Sequence, residues 1–411
     1  MVHKHGFMSR RGFVGGTAGL GAAVAVSGRV PRVAAQATPG QATPAVEVTD
    51  TIQVGIVTSQ SGPLQTYGEQ YLTGFEIGLA YATGGTGVIN GHQIAYEVMD
   101  DTGVADVAVN AAIDFIGQGY KILAGSVVSG VALQIAPLAE QNQILFISGP
   151  AAADGITGIN EYTFRSGRQV TQDVLTARSY LETPEGQRAI VFAQDTAFGQ
   201  STADAVTAIF GEAGTTVDRI LVPQDARDFA PFAQQILDGE PDLLFIAWAG
   251  ATATAMYTAL DNQQVLTSTQ VVTGLDIRAT YPIFGPGAGD ISFISHYVYQ
   301  APDNEANTFL IDEMEARGGV PDLFMPDGFA AAQMIVHAVE EADGADVDAM
   351  IEALEGYEFE GVKGSYTVRA EDHALLQPMF QVNLVTEGTT AEPEVLATLE
   401  PEDVAPPEAG S

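Results

Sequence analysis

The sequence of this 411-residue chain predicts an α/β fold built as two doubly wound parallel-sheet lobes. Three observations carry that reading. From residue 52 to 274, apolar strand-like runs alternate with helical patterns and no strand-rich block interrupts them. Runs such as 122–124 and 144–147 are continuously apolar, as strands covered on both faces must be. Residues 243–274 then repeat the layout of 122–149: a strand ending in small residues, a helix, and a second strand ending in glycine. Identity between the two stretches is too low for a sequence repeat. The shared layout instead indicates two similar lobes that offer equivalent loops to one cleft.

Each element follows from its local pattern. Residues 52–58 form an apolar strand that runs into the turn Ser59-Gln60-Ser61-Gly62-Pro63. A helix from about Tyr67 carries Tyr71, Phe75, Leu79 and Ala82 on one face. Asn90-Gly91 is a hairpin turn into strand 93–99, which ends at Asp100-Asp101, and a helix covers 105–118. The central stretch, 121–158, reads as strand 122–124, loop 126–130, a helix with Val131, Ile135 and Leu138 on one face, and strand 144–147. A kink is expected at Pro137. The loops after these two strands lie side by side at the carboxyl edge of an open sheet, where α/β folds bind ligands. Ser129, as N-cap of its helix, would present a hydroxyl and free backbone amides to an anion, although capping alone also accounts for a serine there. Strands at 189–193, 216–222, 243–247 and 270–273 alternate with helices ending near 213, over 229–237 and over 251–262. Strand 291–299, helices 306–317, 328–342 and 347–354, and an antiparallel portion over 364–369 and 379–385 complete the fold.

Charge narrows the partners. The chain has 52 acidic and 16 basic side chains. Five of the bases and none of the acids fall in the first 37 residues, so the remainder sets 52 acids against 11 bases. Nucleic acid and anionic membrane surfaces are poor partners for such a surface, and no nucleic-acid partner is expected. With no cysteine, disulfides, thiol nucleophiles, thiolate metal sites and a lipid-modified cysteine are all excluded. Ser9-Arg10-Arg11-Gly12-Phe13-Val14 before a Gly/Ala/Val stretch resembles a twin-arginine export signal, with Ala35-Gln36-Ala37 as a cleavage site. Residues 1–37 are therefore expected to be a signal peptide, 38–50 a flexible linker and 401–411 a disordered acidic tail.

No catalytic constellation is visible. His92, His296, His337 and His373 stand apart, with none of the spacings that metal sites use. Ser126 and Ser129 lie outside any G-x-S-x-G elbow. Gly84-Gly85-Thr86-Gly87 has neither dinucleotide nor P-loop spacing and reads as a turn. Asp100-Asp101 is expected to cap or to be solvated, with cation binding as the other option. No enzyme activity, metal or cofactor is expected.

Laid out in order, several segments resemble the type I periplasmic binding proteins of ABC importers, above all the leucine–isoleucine–valine receptors. They are Ser61-Gly62-Pro63 with Tyr67-Gly68, Ile89-Asn90-Gly91, Asp100-Asp101, Ser129-Gly130, Asp195-Thr196-Ala197-Phe198-Gly199 and Gly274-Leu275-Asp276. The resemblance covers about 52–385. It implies two lobes joined by a three-strand hinge, 51–169 plus 298–377 and 170–297 plus 378–400, closing on a small-molecule solute. The expected partner is an ABC importer permease, and the expected state is a monomer.

By the same resemblance, Ser129 would hold a ligand carboxylate, with backbone groups of Pro150, Ala151 and Ala152 beside it. Asp276 would pair with an α-ammonium, and Tyr67, Phe198 and the Trp248 region would wall the pocket. Ala152 stands where the family usually has threonine, Trp248-Ala249 replaces a small residue and tyrosine, and Phe198 replaces a common tyrosine. The pattern at 151–158 also resembles relatives that bind aromatic or other organic acids. Arg278 is a candidate clamp for a second carboxylate, with a surface or intra-lobe salt bridge as its other reading. Beside an amino-acid or organic-acid receptor, a sensory domain and a secreted enzyme on a similar scaffold stand as readings of other classes.

Overall fold

The computed structural model describes residues 47–180, 183–387 and 390–409. The expected signal, with Arg10 and Arg11, and most of the expected linker lie outside the described residues. Strand β1 (Asp50–Thr58) buries Val54, Ile56 and Val57 completely. It pairs in parallel with β3 (His92–Asp100) on one side and β4 (Ile122–Ala124) on the other. Outward from β4 lie β5 (Leu145–Ser148) and β6 (Thr163–Arg165), also parallel. The short β2 (Val88–Ile89) pairs antiparallel with β3 through the expected Asn90-Gly91 turn. Both turn residues take positive φ, 48° and 88°, as a two-residue hairpin turn of this kind requires. The sheet order β2-β3-β1-β4-β5-β6 puts a topological switch at β1, so the loops after β1 and β4 part and leave a crevice at the carboxyl edge.

Helices α1 (Gln65–Ala82), α2 (Ala105–Gly117) and α3 (Ser129–Asn142) connect these strands. The assigned span of α3 runs unbroken through Pro137. Helix α1 packs closely against a later helix, α10 (Met325–Glu341). A Cβ on Gly74 of α1 would sit 1.9 Å from the Met325 carbonyl oxygen, and one on Gly328 would sit 1.9 Å from that of Tyr71. Only glycine permits two helix backbones to approach so closely.

The second sheet runs, edge to edge, β16 (Thr390–Leu399), β15 (Met379–Glu387), β11 (Ile291–Ser295), β10 (Gln270–Gly274), β9 (Leu243–Ala247), β7 (Arg188–Gln194) and β8 (Thr216–Val222). Its parallel part is β7, β8, β9, β10 and β11. Ile190 and Phe192 of β7 join Leu244 and Ile246 of β9 in one apolar cluster, while Val191, Ala193, Phe245 and Ala247 join another on the opposite face. This division shows that helices cover both faces, as in a doubly wound sheet. Those helices are α4 (Val170–Arg178), α5 (Ala197–Glu212), α6 (Ala230–Gly239), α7 (Ala253–Asn262) and the short α8 (Val265–Ser268).

The strand expected over 291–299 stops at Ser295. Its hydroxyl donates to the Tyr297 carbonyl at 2.8 Å and accepts the Tyr297 amide at 3.2 Å, which turns the chain away. Helices α9 (Glu305–Ala316), α10 (Met325–Glu341) and α11 (Val347–Leu354) then complete the first lobe, whose core they share. A small antiparallel sheet, β12 (Glu358–Gly361), β13 (Gly364–Val368) and β14 (Leu375–Leu376), follows. The chain returns to the second sheet as β15 (Met379–Glu387) and β16 (Thr390–Leu399). Strand β16 lies at the sheet edge, which is where a strand containing Pro393 is tolerated.

The tail expected to be disordered over 401–411 is instead docked on the first lobe as far as it is described. Val404 is fully buried. The Arg369 guanidinium donates to the carbonyls of Pro406 at 2.6 Å and Pro407 at 3.2 Å, and the Ala409 amide donates to Asp372 at 3.0 Å. Proline carbonyls and one aliphatic anchor outweigh the local acidity.

Candidate functional site

The two carboxyl-edge loops of the first lobe are tied to each other by Asp101. This fully buried carboxylate accepts the hydroxyls of Ser59 at 2.6 Å and Ser126 at 2.7 Å, and the Gly103 amide at 2.8 Å. Asp100 accepts the amides of Gln60, Ser61 and Thr102 and the Ser61 hydroxyl. Both acids thus brace loops. Among the described residues, no group of three or more His, Asp or Glu side chains is placed to hold a metal.

These loops face the carboxyl ends of β7, β9 and β10 across a cleft that holds two adjoining chambers with lining residues in common. The outer one has a volume of about 330 Å³, and Ser129, Pro150, Ala152, Leu64, Gln194 and Arg227 are among its lining residues. The inner one, about 80 Å³, is lined by Trp248, Asp276, Asp173 and His296 among others. Tyr67, Arg168, Phe198, Ala249 and Phe324 line both chambers.

Most of the residues singled out in the sequence thus converge here, with three changes of role. Ser129 is the first helical residue of α3 and not its N-cap, which is Val128. Its Oγ accepts the Ala153 amide at 3.2 Å, so its own proton remains to be donated. Ala151 is buried behind the wall, with its amide bonded to the Ser126 carbonyl at 3.0 Å. Arg278 lies outside both chambers. Its guanidinium pairs with Glu392 at 2.6 Å and lies over the rings of Tyr281 and Tyr299. That salt bridge reaches β16, an edge strand whose polar alternation gave no apolar signal in the sequence.

Asp276 does face the cleft, but it is engaged. The Tyr67 hydroxyl donates to it at 2.6 Å from the opposite lobe, and the Gly250 amide donates to Tyr67 Oη at 3.2 Å. Burial pushes the Asp276 carboxyl up to about 6, against the opposing pull of the Tyr67 hydrogen bond. Burial, and then the negative charge of Asp276, hold the Tyr67 hydroxyl well above its ordinary range. In the inner chamber, burial keeps His296 neutral by driving it well below the usual imidazole range.

The 151–158 segment acts mainly as scaffold. Asp154 accepts the Thr171 amide and hydroxyl, and Thr157 Oγ1 accepts Arg165 Nε at 3.0 Å. Fully buried Arg165 also donates to the Ala153 carbonyl at 2.9 Å. Arg168, three residues on, was not recognisable as a site residue from sequence. It pairs with Asp173 at 3.3 Å and donates to the Pro150 carbonyl at 3.1 Å, which brings its guanidinium beside the Ser129 loop. It lies just past the end of β6, next to the loop after β5, a position that only the strand pairing reveals. Phe324, from the loop preceding α10, was likewise missed.

A cleft closed between two doubly wound lobes defines a solute-binding architecture. The model of the periplasmic binding protein family matches residues 51–389. The chain belongs to that family, in its type I class with the leucine–isoleucine–valine receptors. It is 24% identical over 313 residues to the Leu/Ile/Val-binding protein BraC3 of Rhizobium johnstonii, covering 74% of this chain and 83% of that protein. Leu/Ile/Val-binding protein homolog 3 of Brucella melitensis is 25% identical over 80% of this chain and 90% of its own length. A crystal structure described as an ABC-type branched-chain amino acid transporter from Rhodopseudomonas palustris superposes with a TM-score of 0.73 at 31% identity, covering 86% of this chain and 97% of that one. A solute-binding protein of R. palustris in complex with 4-hydroxybenzoate shares the fold, with a TM-score of 0.78 at 19% identity over 85% of this chain and 97% of that one. Proteins of this family bind solutes outside the cytoplasm. No helix among the described residues is long and apolar enough to cross a membrane.

Proposed function

We propose that this chain captures a small carboxylate-bearing solute between its lobes, without turnover, and delivers it to the permease of an ABC importer. The lobes, 51–169 plus 298–377 and 170–297 plus 378–400, would part and close about the three crossings between the sheets. One observation carries the carboxylate: the Ser129 hydroxyl, with its proton free to donate, and the Arg168 guanidinium, whose Nε and Nη2 also hold Asp173, line the same apolar-walled cavity. A guanidinium with N–H donors left over from its own ion pair, beside a hydroxyl, suits a carboxylate. Two ligand chemistries share that group. A branched-chain or other amino acid is supported by the relatives' names and by Asp276 at the inner end. An aromatic or other organic acid is supported by the Tyr67–Asp276 bond, which engages the carboxylate an ammonium would need, and by Ala152 in place of a hydroxyl. The second fits the geometry better.

A thermal-shift screen against amino acids, aromatic acids, amides and dicarboxylates tests this, since ligand at a hundred times its Kd stabilises by roughly 2.7 kcal/mol. For the solute so found, Ser129→Ala is expected to weaken binding on the order of ten- to a hundredfold by calorimetry, a loss of roughly 1.5–3 kcal/mol. Wild-type affinity in that variant would place the carboxylate elsewhere.

The reading includes export through the twin-arginine route. Replacing Arg10 and Arg11 by lysine keeps their charge and removes the pair. Precursor should then accumulate in the cytoplasm, and undiminished export would refute the route.

A further inference from the structure

We propose that the outer chamber takes a dianionic solute, with one carboxylate on Ser129 and Arg168 and a second anionic group on Arg227 in the opposite lobe. This rests on the reading of the cleft as a carboxylate site and goes beyond it. The chain carries 52 acidic side chains against 16 basic ones, yet the residues that line this cavity include two arginines and no aspartate or glutamate. A randomly chosen patch of so acidic a protein would have the opposite sign. Nothing in the outer chamber would neutralise an ammonium, and Asp276 borders only the inner one.

Arg227 is set apart from most arginines of the chain. Arg168, Arg188, Arg219, Arg278, Arg317 and Arg369 each pair with a carboxylate. Arg227 has Asp225 and Asp228 beside it in sequence, but among the described residues it forms no ion pair. Asp228 is instead turned to the Ala230 amide at the start of α6, at 3.1 Å. The Arg227 Nη1 donates to its own turn, to the carbonyls of Ala226 at 2.9 Å and Gln224 at 3.4 Å. A guanidinium has five N–H donors, so this anchoring fixes the head group at the cavity and leaves donors to spare. The same cavity is lined by the apolar side chains of Leu64, Phe198 and Phe324, which suit an aliphatic or aromatic spacer. The site therefore calls for an apolar body with an anionic group at each end.

Calorimetry on the full chain at pH 7.5 tests this with adipate and terephthalate, their single-carboxylate counterparts hexanoate and benzoate, and leucine. At least one dicarboxylate is expected to bind ten times more tightly than its counterpart. Arg227→Gln, on the exposed rim, should bring that ratio close to one. Arg188→Gln, exposed in the same lobe and paired with Asp218, should leave the ratio as it was. Arg168→Lys should weaken both members of each pair, because a point charge replaces a fork. If carboxylates bind with no preference for the dianion, if leucine binds most tightly, or if Arg227→Gln keeps the ratio, the dianion assignment is overturned while the carboxylate site stands. Binding of none of these probes overturns both.

Discussion

Replacing Asp276 by asparagine should change how the stability of the protein responds to pH, by an amount that the structure sets. Burial raises the carboxyl from its ordinary 3.8 to about 6. The folded state therefore holds this proton more tightly than the unfolded chain does. Such a group contributes stability that is complete below about pH 4 and is lost as pH rises through about 6. At 1.36 kcal/mol per pH unit, that displacement amounts to about 3 kcal/mol. Asparagine keeps an acceptor for the Tyr67 hydroxyl and cannot ionise, so the variant escapes the loss. For the unit Val46–Ser411, an unfolding entropy of about 2.1 cal/mol/K per residue gives roughly 1.3 °C of Tm per kcal/mol. Because part of the loss has already occurred at pH 4, the Tm of the variant relative to wild type should climb by roughly 3 °C between pH 4 and pH 7.5. Calorimetric melts of both ligand-free proteins at pH 4, 5, 6 and 7.5 measure it. A difference that stays flat would mean that Asp276 ionises as freely in the fold as in water. A difference that falls with pH would mean that its charge is a net stabiliser, and either result refutes the argument.

The approach of α1 to α10 gives a second expectation. Gly328→Ala places a methyl group on the Tyr71 carbonyl, backbone that cannot swing aside, and should cost about 3 kcal/mol, the upper end for overpacking. Gly211→Ala in α5, where an added Cβ meets nothing within 4 Å, should be neutral or gain up to about 1 kcal/mol. Denaturant melts of the two variants check the pair, and equal effects would contradict the helix contact.

Sequence patterns reached far where the physics is local. Leu145–Ser148 and Leu243–Ala247 are legible as buried strands because every residue is apolar or small, and Asn90-Gly91 because few pairs accept two positive φ angles. The Ser129 and Pro150 loops are expected side by side because each follows the carboxyl end of a strand and one helix joins the two strands. What escaped depends on distant neighbours. Arg168 becomes a cleft residue only because β6 lies beside β5, a pairing that a three-residue strand does not announce. Arg278 keeps two readings in the sequence, clamp or salt bridge, and the partner that decides for the salt bridge, Glu392, sits on an edge strand that alternates exposed polar and half-buried residues. The Tyr67–Asp276 bond joins residues 209 apart, and neither one signals the other.

The docked C-terminal turn has a practical corollary. The chain leaves the second sheet at Leu399 and is fastened to the first lobe at Arg369 and Asp372, so its end travels with the lobe opposite its last strand. A fluorophore or fusion partner attached after residue 409 would report the position of the first lobe. Pairing it with a second label on the exposed Arg219 face of β8 would turn lobe separation into a distance that energy transfer can follow.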